Sequence, residues 1–308
     1  MTASLLLPPG VTVFERGWLS ANNILLQDAE RSVLVDSGYM THAAQTCALV
    51  RQALGERALD LLVNTHLHSD HCGGNAALQR QWPALQTWIP PGLAPAVQAW
   101  DESRLSYRPT GQRCEPFRIE GLLHPGSVHR WAALDWEVHA APGHDPDSVL
   151  LFAPAARLLI SADALWQQGF GVVFPELEDI AGFDDVAATL DLIERLQPQT
   201  VIPGHGAVFH DVTAALTVAR RKLEGFARSP DKHLRYGTKV LLKFKLLEFG
   251  RVTQDEFVQW ALNVPYMQRL HQRHGQGFAA REWIDALLAE LEQGGALSRD
   301  GHWLVDAG

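Results

Sequence analysis

The most chemically distinctive stretch of the sequence is NTHLHSDHCGGN, residues 64–75, which concentrates imidazole and carboxylate side chains. It holds three histidines and one aspartate within six positions: His66, His68, Asp70 and His71. Neutral imidazole and carboxylate groups are ligands that suit zinc, iron and manganese in proteins. Because the two glycines that follow permit a tight turn, we expect the stretch to form a loop at the end of a strand. Its residue types therefore predict a metal site.

Three further candidate ligands lie in separate segments of the chain. They are His144 in APGHDPDS, Asp163 in LISADALW and His205 in IPGHGAVF. Each is placed at the end of a predicted strand, as the first stretch is. The four segments together favour a composite metal centre over a loop that is rich in histidine by chance. The other histidines show no such partner pattern, and we predict surface or packing roles for them.

The order and spacing of these residues resemble the metallo-β-lactamase superfamily. Its pattern is His-x-His-x-Asp-His, then a later His, an Asp and a final His, each at a strand-to-loop junction. Every element is present in order, over about residues 10–220. The resemblance implies an αββα sandwich with two metal ions at one edge of its sheets.

The resemblance also implies a role for each residue. The ligands of the first ion would be His66, His68 and His144; those of the second would be Asp70, His71 and His205; and the bridging ligand would be Asp163. Asp70 would also accept or shuttle a proton for the nucleophile, and Asp36 would brace the histidine loop through hydrogen bonds. Two divalent ions would lower the pKa of a bridging water toward neutrality. Zinc is favoured, and iron or manganese would accept the same ligands.

The sequence differs from several branches of the superfamily, and these differences limit the range of substrates that we expect. The segment after His205 lacks the Glu-Tyr element usual in hydrolases of the glyoxalase II type, so we do not expect specificity for glutathione. Trp166 stands where many lactonases have a tyrosine. Together with Phe170 and Phe174 it could line an apolar substrate pocket beside the metals. The same three aromatic residues could equally pack beneath their loop.

We therefore interpret the chain as a dinuclear metal-dependent hydrolase of a small molecule. A metal-bridging hydroxide would attack an ester-like bond, most simply that of an acyl thioester. Two alternatives stay open at this stage: a metal-dependent endoribonuclease or phosphodiesterase, and a regulatory protein on the same fold. The nuclease would need basic residues to hold RNA, and those after residue 220 include Arg221, Lys222, Lys239, Lys243, Lys245 and Arg251. Acidic residues nearly balance them, and three of these lysines could form the solvated face of a helix.

Short apolar runs mixed with helical patterns predict an α/β catalytic domain over residues 1–220. We expect strands within residues 32–38, 59–66, 135–143, 148–154, 157–163 and 200–206, and helices within 41–54 and 183–197. Residues 90–130 are expected to be mainly loop, with a helix near 93–103, and they could act as a lid.

The pattern changes after residue 220. Helices are predicted within residues 232–250, 253–264 and 279–295, and the dipeptide Asp300-Gly301 indicates a β-hairpin within 296–305. This order predicts a small winged-helix-like domain over residues 221–308. We expect it to cap the cleft or to mediate formation of a homodimer.

The overall composition limits the classes of binding partner that we expect and indicates a cellular compartment. A net charge of −9 disfavours nucleic acid or an anionic membrane as a partner, and no apolar run approaches the roughly 18 residues of a membrane span. Three cysteines form no paired framework, and the first ten residues lack a basic region. These features predict a cytoplasmic protein.

Overall fold

Two β-sheets, the helices outside them and a C-terminal group of helices make up the chain, which we describe from a computed structural model. The structure describes residues 7–178 and 181–307. Within this part the strands are β1 (Val11–Phe14), β2 (Asn23–Gln27), β3 (Ser32–Val35), β4 (Leu61–Val63), β5 (Gln86–Ile89), β6 (Gly121–Leu122), β7 (Val128–Trp131), β8 (Leu134–Ala140), β9 (Val149–Ala153), β10 (Leu158–Ala162), β11 (Thr200–Pro203), β12 (Arg251–Thr253), β13 (Leu297–Asp300) and β14 (Trp303–Asp306). The helices are α1 (Ala43–Leu54), α2 (Ser69–Cys72), α3 (Asn75–Gln81), α4 (Ala94–Ala99), α5 (Tyr107–Thr110), α6 (Pro175–Glu178), α7 (Gly182–Leu196), α8 (Val212–Arg228), α9 (Pro230–Phe249), α10 (Gln254–Asn263), α11 (Pro265–His274) and α12 (Ala280–Gln293).

The two large sheets are stacked face to face. Their strand orders are β1-β2-β3-β4-β5-β6 and β11-β10-β9-β8-β7. Because successive side chains of a strand point to opposite faces, Val33 and Val35 lie in the core between the sheets, whereas Leu34 packs with residues of α1 and α3. In the second sheet, Ile160 faces the same central core and Leu159 packs with residues of α7 and α8. The layers are therefore helix, sheet, sheet and helix, as the predicted αββα sandwich requires.

The direction of the strands brings several loops to one edge of the sandwich. Strands β3, β4 and β5 are parallel to one another, and β10 is parallel to β11. Parallel strands end at the same edge of a sheet, where α/β proteins commonly bind ligands. The predicted ligands follow β4, β8, β10 and β11, so the topology places their loops side by side.

The segment 90–130 is mainly loop with a helix near its start, as expected. It contains α4, α5, β6 and the beginning of β7. The first helix ends at Ala99 because Trp100 adopts a left-handed conformation with φ of 49°. Leu105, Tyr107 and Phe117 are buried in a shared apolar cluster with residues of α4. The segment is thus held by packing along much of its length.

The residues after α8 form four helices and a three-stranded antiparallel sheet with the order β12-β14-β13. The predicted helices and the hairpin are present, and the Thr253 hydroxyl accepts a hydrogen bond from the amide of Glu256 to begin α10. Helices α8 and α11 were not predicted. The boundary proposed at residue 220 falls inside α8, and the winged-helix-like description of this region stays a prediction.

An ionic network centred on a buried carboxylate joins α9 to the sandwich. The carboxylate of Glu248, whose side chain is 2% exposed, accepts hydrogen bonds from Tyr39 Oη at 2.8 Å, Arg113 Nε at 2.7 Å and Lys245 Nζ at 2.7 Å. Burial and the neighbouring Glu248 carboxylate raise the pKa of Tyr39, and burial lowers the pKa of Lys245. Lys245 is therefore not on a solvated helix face, which corrects one of the alternatives considered above for this residue.

We expect the substitution Glu248→Gln to destabilise the protein by about 3 kcal/mol, because it leaves the charge of a buried lysine without its partner. Urea unfolding followed by circular dichroism measures the change. Glu224→Gln is the matched control, since Glu224 pairs with Arg228 on the surface, where the effect should stay below about 1 kcal/mol. Equal midpoints for Glu248→Gln and the wild type would contradict a stabilising role for the network.

None of the helices within residues 7–178 and 181–307 is both long and apolar enough to cross a membrane. The three cysteines are free, and the Sγ atoms of Cys72 and Cys114 lie 4.0 Å apart. Cytoplasmic localisation stays a prediction.

Candidate metal centre

The first cluster of candidate ligands consists of three histidines. Residues 66 and 68 follow β4, and His144 follows β8. The Nδ1 atom of His68 lies 3.1 Å from Nε2 of His66 and 2.8 Å from Nε2 of His144. Three ring nitrogens from two sheets thus converge on one point, as ligands of a single ion would.

The second cluster lies next to the first. It contains Asp70, His71, Asp163 and His205. The Nε2 atom of His205 is 3.1 Å from Oδ2 of Asp70, and the Nε2 atom of His71 is 3.4 Å from Oδ1 of Asp163. The other oxygen of Asp163 is 3.3 Å from Nε2 of His144, which belongs to the first cluster. Asp163 therefore faces both clusters, as the predicted bridging ligand should.

Hydrogen bonds to the remaining ring nitrogens fix which nitrogen is free to bind a metal. Nδ1 of His144 lies 2.6 Å from the carbonyl oxygen of Val172, and Nδ1 of His71 lies 2.8 Å from a carboxylate oxygen of Asp36. Each oxygen can only accept, so Nδ1 carries the proton in both histidines and Nε2 presents a lone pair. This is the arrangement that metal-binding histidines generally show.

The electrostatics of the two clusters also suit cations. Burial, followed by the neighbouring imidazoles of His71 and His68, holds the pKa of His66 well below its ordinary value, which favours the neutral ligand form. In the second cluster burial opposes protonation of His71, but the carboxylates of Asp163, Asp36 and Asp70 outweigh it and raise its pKa. This concentration of negative charge would attract a divalent ion.

A buried ring nitrogen of His71 is placed as that of a metal ligand would be. Nε2 of His71 has no hydrogen-bond partner among the described residues, although it is completely enclosed. Buried polar atoms without partners are rare and costly in proteins. Since this atom faces the carboxylates of Asp163 and Asp70, the donor set present fits two divalent metal ions.

Asp36 supports both clusters from behind. Its carboxylate is 1% exposed and accepts hydrogen bonds from the Thr65 amide at 2.9 Å, the Thr65 hydroxyl at 2.8 Å and Nδ1 of His71. Because the Thr65 hydroxyl gives its proton to Asp36, it can accept from Nδ1 of His66, 3.1 Å away. One carboxylate thus orients a histidine of each cluster, in line with the bracing role expected for it.

Several supporting residues were missed in the sequence. Asn64 donates to the carbonyl of His71 at 3.1 Å and accepts from Asn75 at 2.7 Å, so the two ends of the histidine stretch are tied together. Asn22 donates to the carbonyls of Pro203 and Gly206, on either side of His205. Asparagines flanking the histidines were a usable signal, whereas Asn22 is more than 180 residues from its partners.

At two positions the backbone lies so close to a candidate metal ligand that only glycine fits. A Cβ atom at position 204 would lie 2.1 Å from Oδ1 of Asp163, and one at position 171 would lie 2.5 Å from Nδ1 of His144. Neither carboxylate nor imidazole could keep its position beside a larger residue. Gly204 and Gly171 are therefore part of the architecture of the site.

The clusters open into a cavity of about 980 Å³. Trp166 and Phe174 line it, and the indole N–H of Trp166 donates to Oδ1 of Asp163 at 3.1 Å. Phe170 does not line it, because its side chain is 1% exposed and packs with the outer helices of the second sheet. Trp18, which the sequence analysis did not single out, lines the cavity with its ring stacked on that of His205, at 5.5 Å between centroids.

These features define an αββα protein with two adjacent sets of metal-ligand residues at one sheet edge. The model of the metallo-beta-lactamase superfamily matches residues 16–205, and the chain belongs to this superfamily. A metallo-beta-lactamase family protein from Thermus thermophilus has a similar structure, with a TM-score of 0.58 and 19% identity over 98% of this chain and 100% of that one. The predicted fold class is thereby confirmed.

Two curated relatives are similar in sequence over most of the sandwich. The hydroxyacylglutathione hydrolase of Brucella anthropi is 24% identical over 198 residues, which are 62% of this chain and 61% of the relative. The acyl-coenzyme A thioesterase MBLAC2 of Bos taurus is 24% identical over 210 residues, which are 61% of this chain and 74% of the relative. The match to the bacterial relative thus spans less than two thirds of its length.

Proposed function

We propose that this chain is a dinuclear metal-dependent hydrolase of acyl thioesters. The observation that carries the proposal is the pair of ligand clusters, joined by Asp163, that opens directly into a large and mainly apolar cavity. Two relatives are named for the hydrolysis of thioesters, which supports the same bond type. Zinc is the favoured metal, with two ions per chain.

Different residues of the chain would bind the metal ions, accept the proton and orient the ligands in such a reaction. His66, His68 and His144 would hold one divalent ion, and Asp70, His71 and His205 would hold the other, with Asp163 facing both clusters. When bound, such ions would supply Lewis-acid activation of a water and of the carbonyl group. Asp70 also lines the cavity, where its carboxylate would accept a proton from the nucleophile. Trp166 fixes the orientation of Asp163.

The basic residues of the C-terminal region give little support to the nuclease alternative. Four of the six basic residues named above form ion pairs: Lys239 with Glu290, Lys243 with Asp306, Lys245 with Glu248, and Arg251 with Asp300. A lysine already paired with a carboxylate offers little to a phosphate backbone, whose binding depends on unpaired positive charge. This pairing leaves Arg221 and Lys222 as the basic residues of this set without a carboxylate partner among the ion pairs given above, which is a small basic surface for RNA.

The test is hydrolysis of an acyl thioester and of a single-stranded RNA by the same zinc-loaded preparation, repeated with manganese and iron. We expect turnover of the thioester alone. The Asp70→Asn protein, purified in the same way, serves as the blank for contaminating enzymes. Cleavage of RNA that disappears in this variant, without thioester turnover, would overturn the proposal.

A further inference from the structure

The cavity beside the metal centre continues into the C-terminal region. Four of its lining residues also belong to the hydrophobic core formed by helices α9 to α12: Phe174, Leu241, Tyr266 and Leu291. We call the part of the cavity lined by these residues the inner lobe. Each of the four is at most 8% exposed, so the inner lobe is the apolar floor of the cavity where it meets the core of the C-terminal region.

One face of helix α9 forms a long wall of the same cavity. Lining residues recur along it at helical spacing: Tyr236, Lys239, Val240, Leu241, Lys243, Phe244 and Leu247. From Tyr236 to Leu247 the helix extends about 16 Å along its axis. Both lysines of this face are held by carboxylates, Lys239 by Glu290 and Lys243 by Asp306. The wall therefore presents mainly apolar side chains to the cavity.

The inner lobe begins next to a candidate metal ligand. The carbonyl of Val172 accepts a hydrogen bond from His144, and Phe174 follows two residues later. This segment lies directly against α9, because a Cβ atom at Gly237 would be 2.6 Å from the ring of Phe174. The ring of Phe174 in turn contacts Tyr266, with 5.8 Å between centroids. Candidate metal ligands and inner-lobe residues thus line one and the same cavity.

The size of the cavity argues against a very small acyl group. Its volume of about 980 Å³ is at the upper end of the range for pockets that bind drug-sized ligands. The exposed parts of the lining include the polar residues Arg104, Gln167 and Gln168, together with Trp18. A polar thiol suits these residues, whereas an apolar chain gains from burial in the inner lobe.

We propose that the inner lobe binds the acyl chain of the substrate and that helix α9 makes the protein selective for medium-length apolar acyl groups. This inference rests on the proposed thioester hydrolysis. The C-terminal region then contributes a wall of the substrate site, beyond any role as a cap. Each methylene buried in the lobe should raise transition-state binding roughly fourfold at full burial, so specificity should increase with chain length.

The first experiment compares thioesters that share a neutral leaving group. S-acetyl- and S-octanoyl-N-acetylcysteamine are hydrolysed by the metal-loaded full chain, and kcat/KM should be at least tenfold higher for the octanoyl compound. The substitution Val240→Trp adds volume to the α9 wall of the cavity and should lower the octanoyl-to-acetyl ratio at least tenfold. Lys232→Trp is the matched control, because Lys232 is exposed on α9 and outside the cavity lining.

A binding experiment separates failure of the inference from failure of the proposed function. S-octyl-N-acetylcysteamine is a thioether without a thioester carbonyl, and calorimetry should show that it binds at least tenfold more tightly than the S-ethyl compound, with the preference lost in Val240→Trp. Equal affinities for the two thioethers, or equal kcat/KM for the two thioesters, would overturn the acyl-chain site. Absence of any thioester turnover with the octyl preference intact would overturn the proposed reaction and leave the apolar site in place. Metal content and melting temperature of each variant confirm that it is folded.

Discussion

The substitution Asp70→Asn should reduce thioester hydrolysis by a factor of about 10² to 10⁴, which is the range for loss of a positioned proton acceptor. Asp70 lies within 3.1 Å of His205 and also reaches the cavity. Asparagine has the same size but cannot take up a proton, and it removes one negative charge from the second cluster. We therefore expect kcat to fall strongly and metal content at this cluster to fall as well.

Steady-state kinetics at saturating zinc, together with metal analysis of the dialysed protein, measure the two effects of Asp70→Asn separately. Asp191→Asn is the control, since Asp191 is an exposed carboxylate paired with Arg220 on the surface. It should leave both readouts unchanged. If Asp70→Asn retained the full kcat, the carboxylate of Asp70 would have no role in the reaction.

The substitution Asp36→Asn should weaken metal binding by about 10- to 100-fold, the range known for groups that orient ligands from behind. The asparagine side chain keeps the shape, and it tolerates the left-handed backbone at this position, where φ is 58°. It cannot, however, accept all three hydrogen bonds that reach the carboxylate from Thr65 and His71. Buried donors left without acceptors cost about 1–3 kcal/mol each, so stability should fall too.

A matched control exists at the other end of the same strands. Asp60 precedes β4, and its carboxylate accepts two hydrogen bonds from Ser32 at the start of β3. Asp60→Asn should therefore destabilise the sheet without changing metal affinity. Competition with a chelator measures affinity without any assay of activity, and unfolding measures stability. If Asp36→Asn and Asp60→Asn bind zinc equally well, Asp36 has only a structural role.

The two proposals place different parts of the chain at the substrate. The sandwich edge provides the ligands, and helix α9, which follows them by more than twenty residues, provides a wall of the cavity. The network around Glu248 holds this helix against the sandwich through Tyr39 and Arg113. Substitutions in that network should therefore change substrate selectivity as well as stability.

The positions of the candidate ligands were predictable because their surroundings are local. A buried strand that ends in a polar turn is visible in a few residues, as at Val63 before the histidine stretch and at Ala162 before Asp163. Alternation of the side chains of β3 and β10 between the two faces of their sheets follows from the same short-range pattern. The grouping of these side chains was expected from their resemblance to the superfamily pattern, and the structure brings all seven together within two adjacent clusters.

Residues whose roles depend on distant partners could not be predicted. Phe170 and Phe174 are four positions apart in one loop, yet the first is buried against the outer helices and the second lines the cavity. The difference arises because Gly237 of α9 leaves space for the ring of Phe174.

The sequence by itself thus determined an α/β domain, its strand ends and the set of candidate ligands, since each depends on patterns a few residues long. The αββα sandwich was expected from the resemblance to the superfamily. Only the tertiary structure decided that Lys245 is buried in an ion-pair network and that α9 lines the cavity. A lysine that faces solvent and a lysine that is buried have the same charge and can have the same spacing along a helix. Lys245 donates to Glu248, which also accepts a hydrogen bond from Tyr39. What distinguishes the two cases is the packing of segments some 200 residues apart, which no local pattern records.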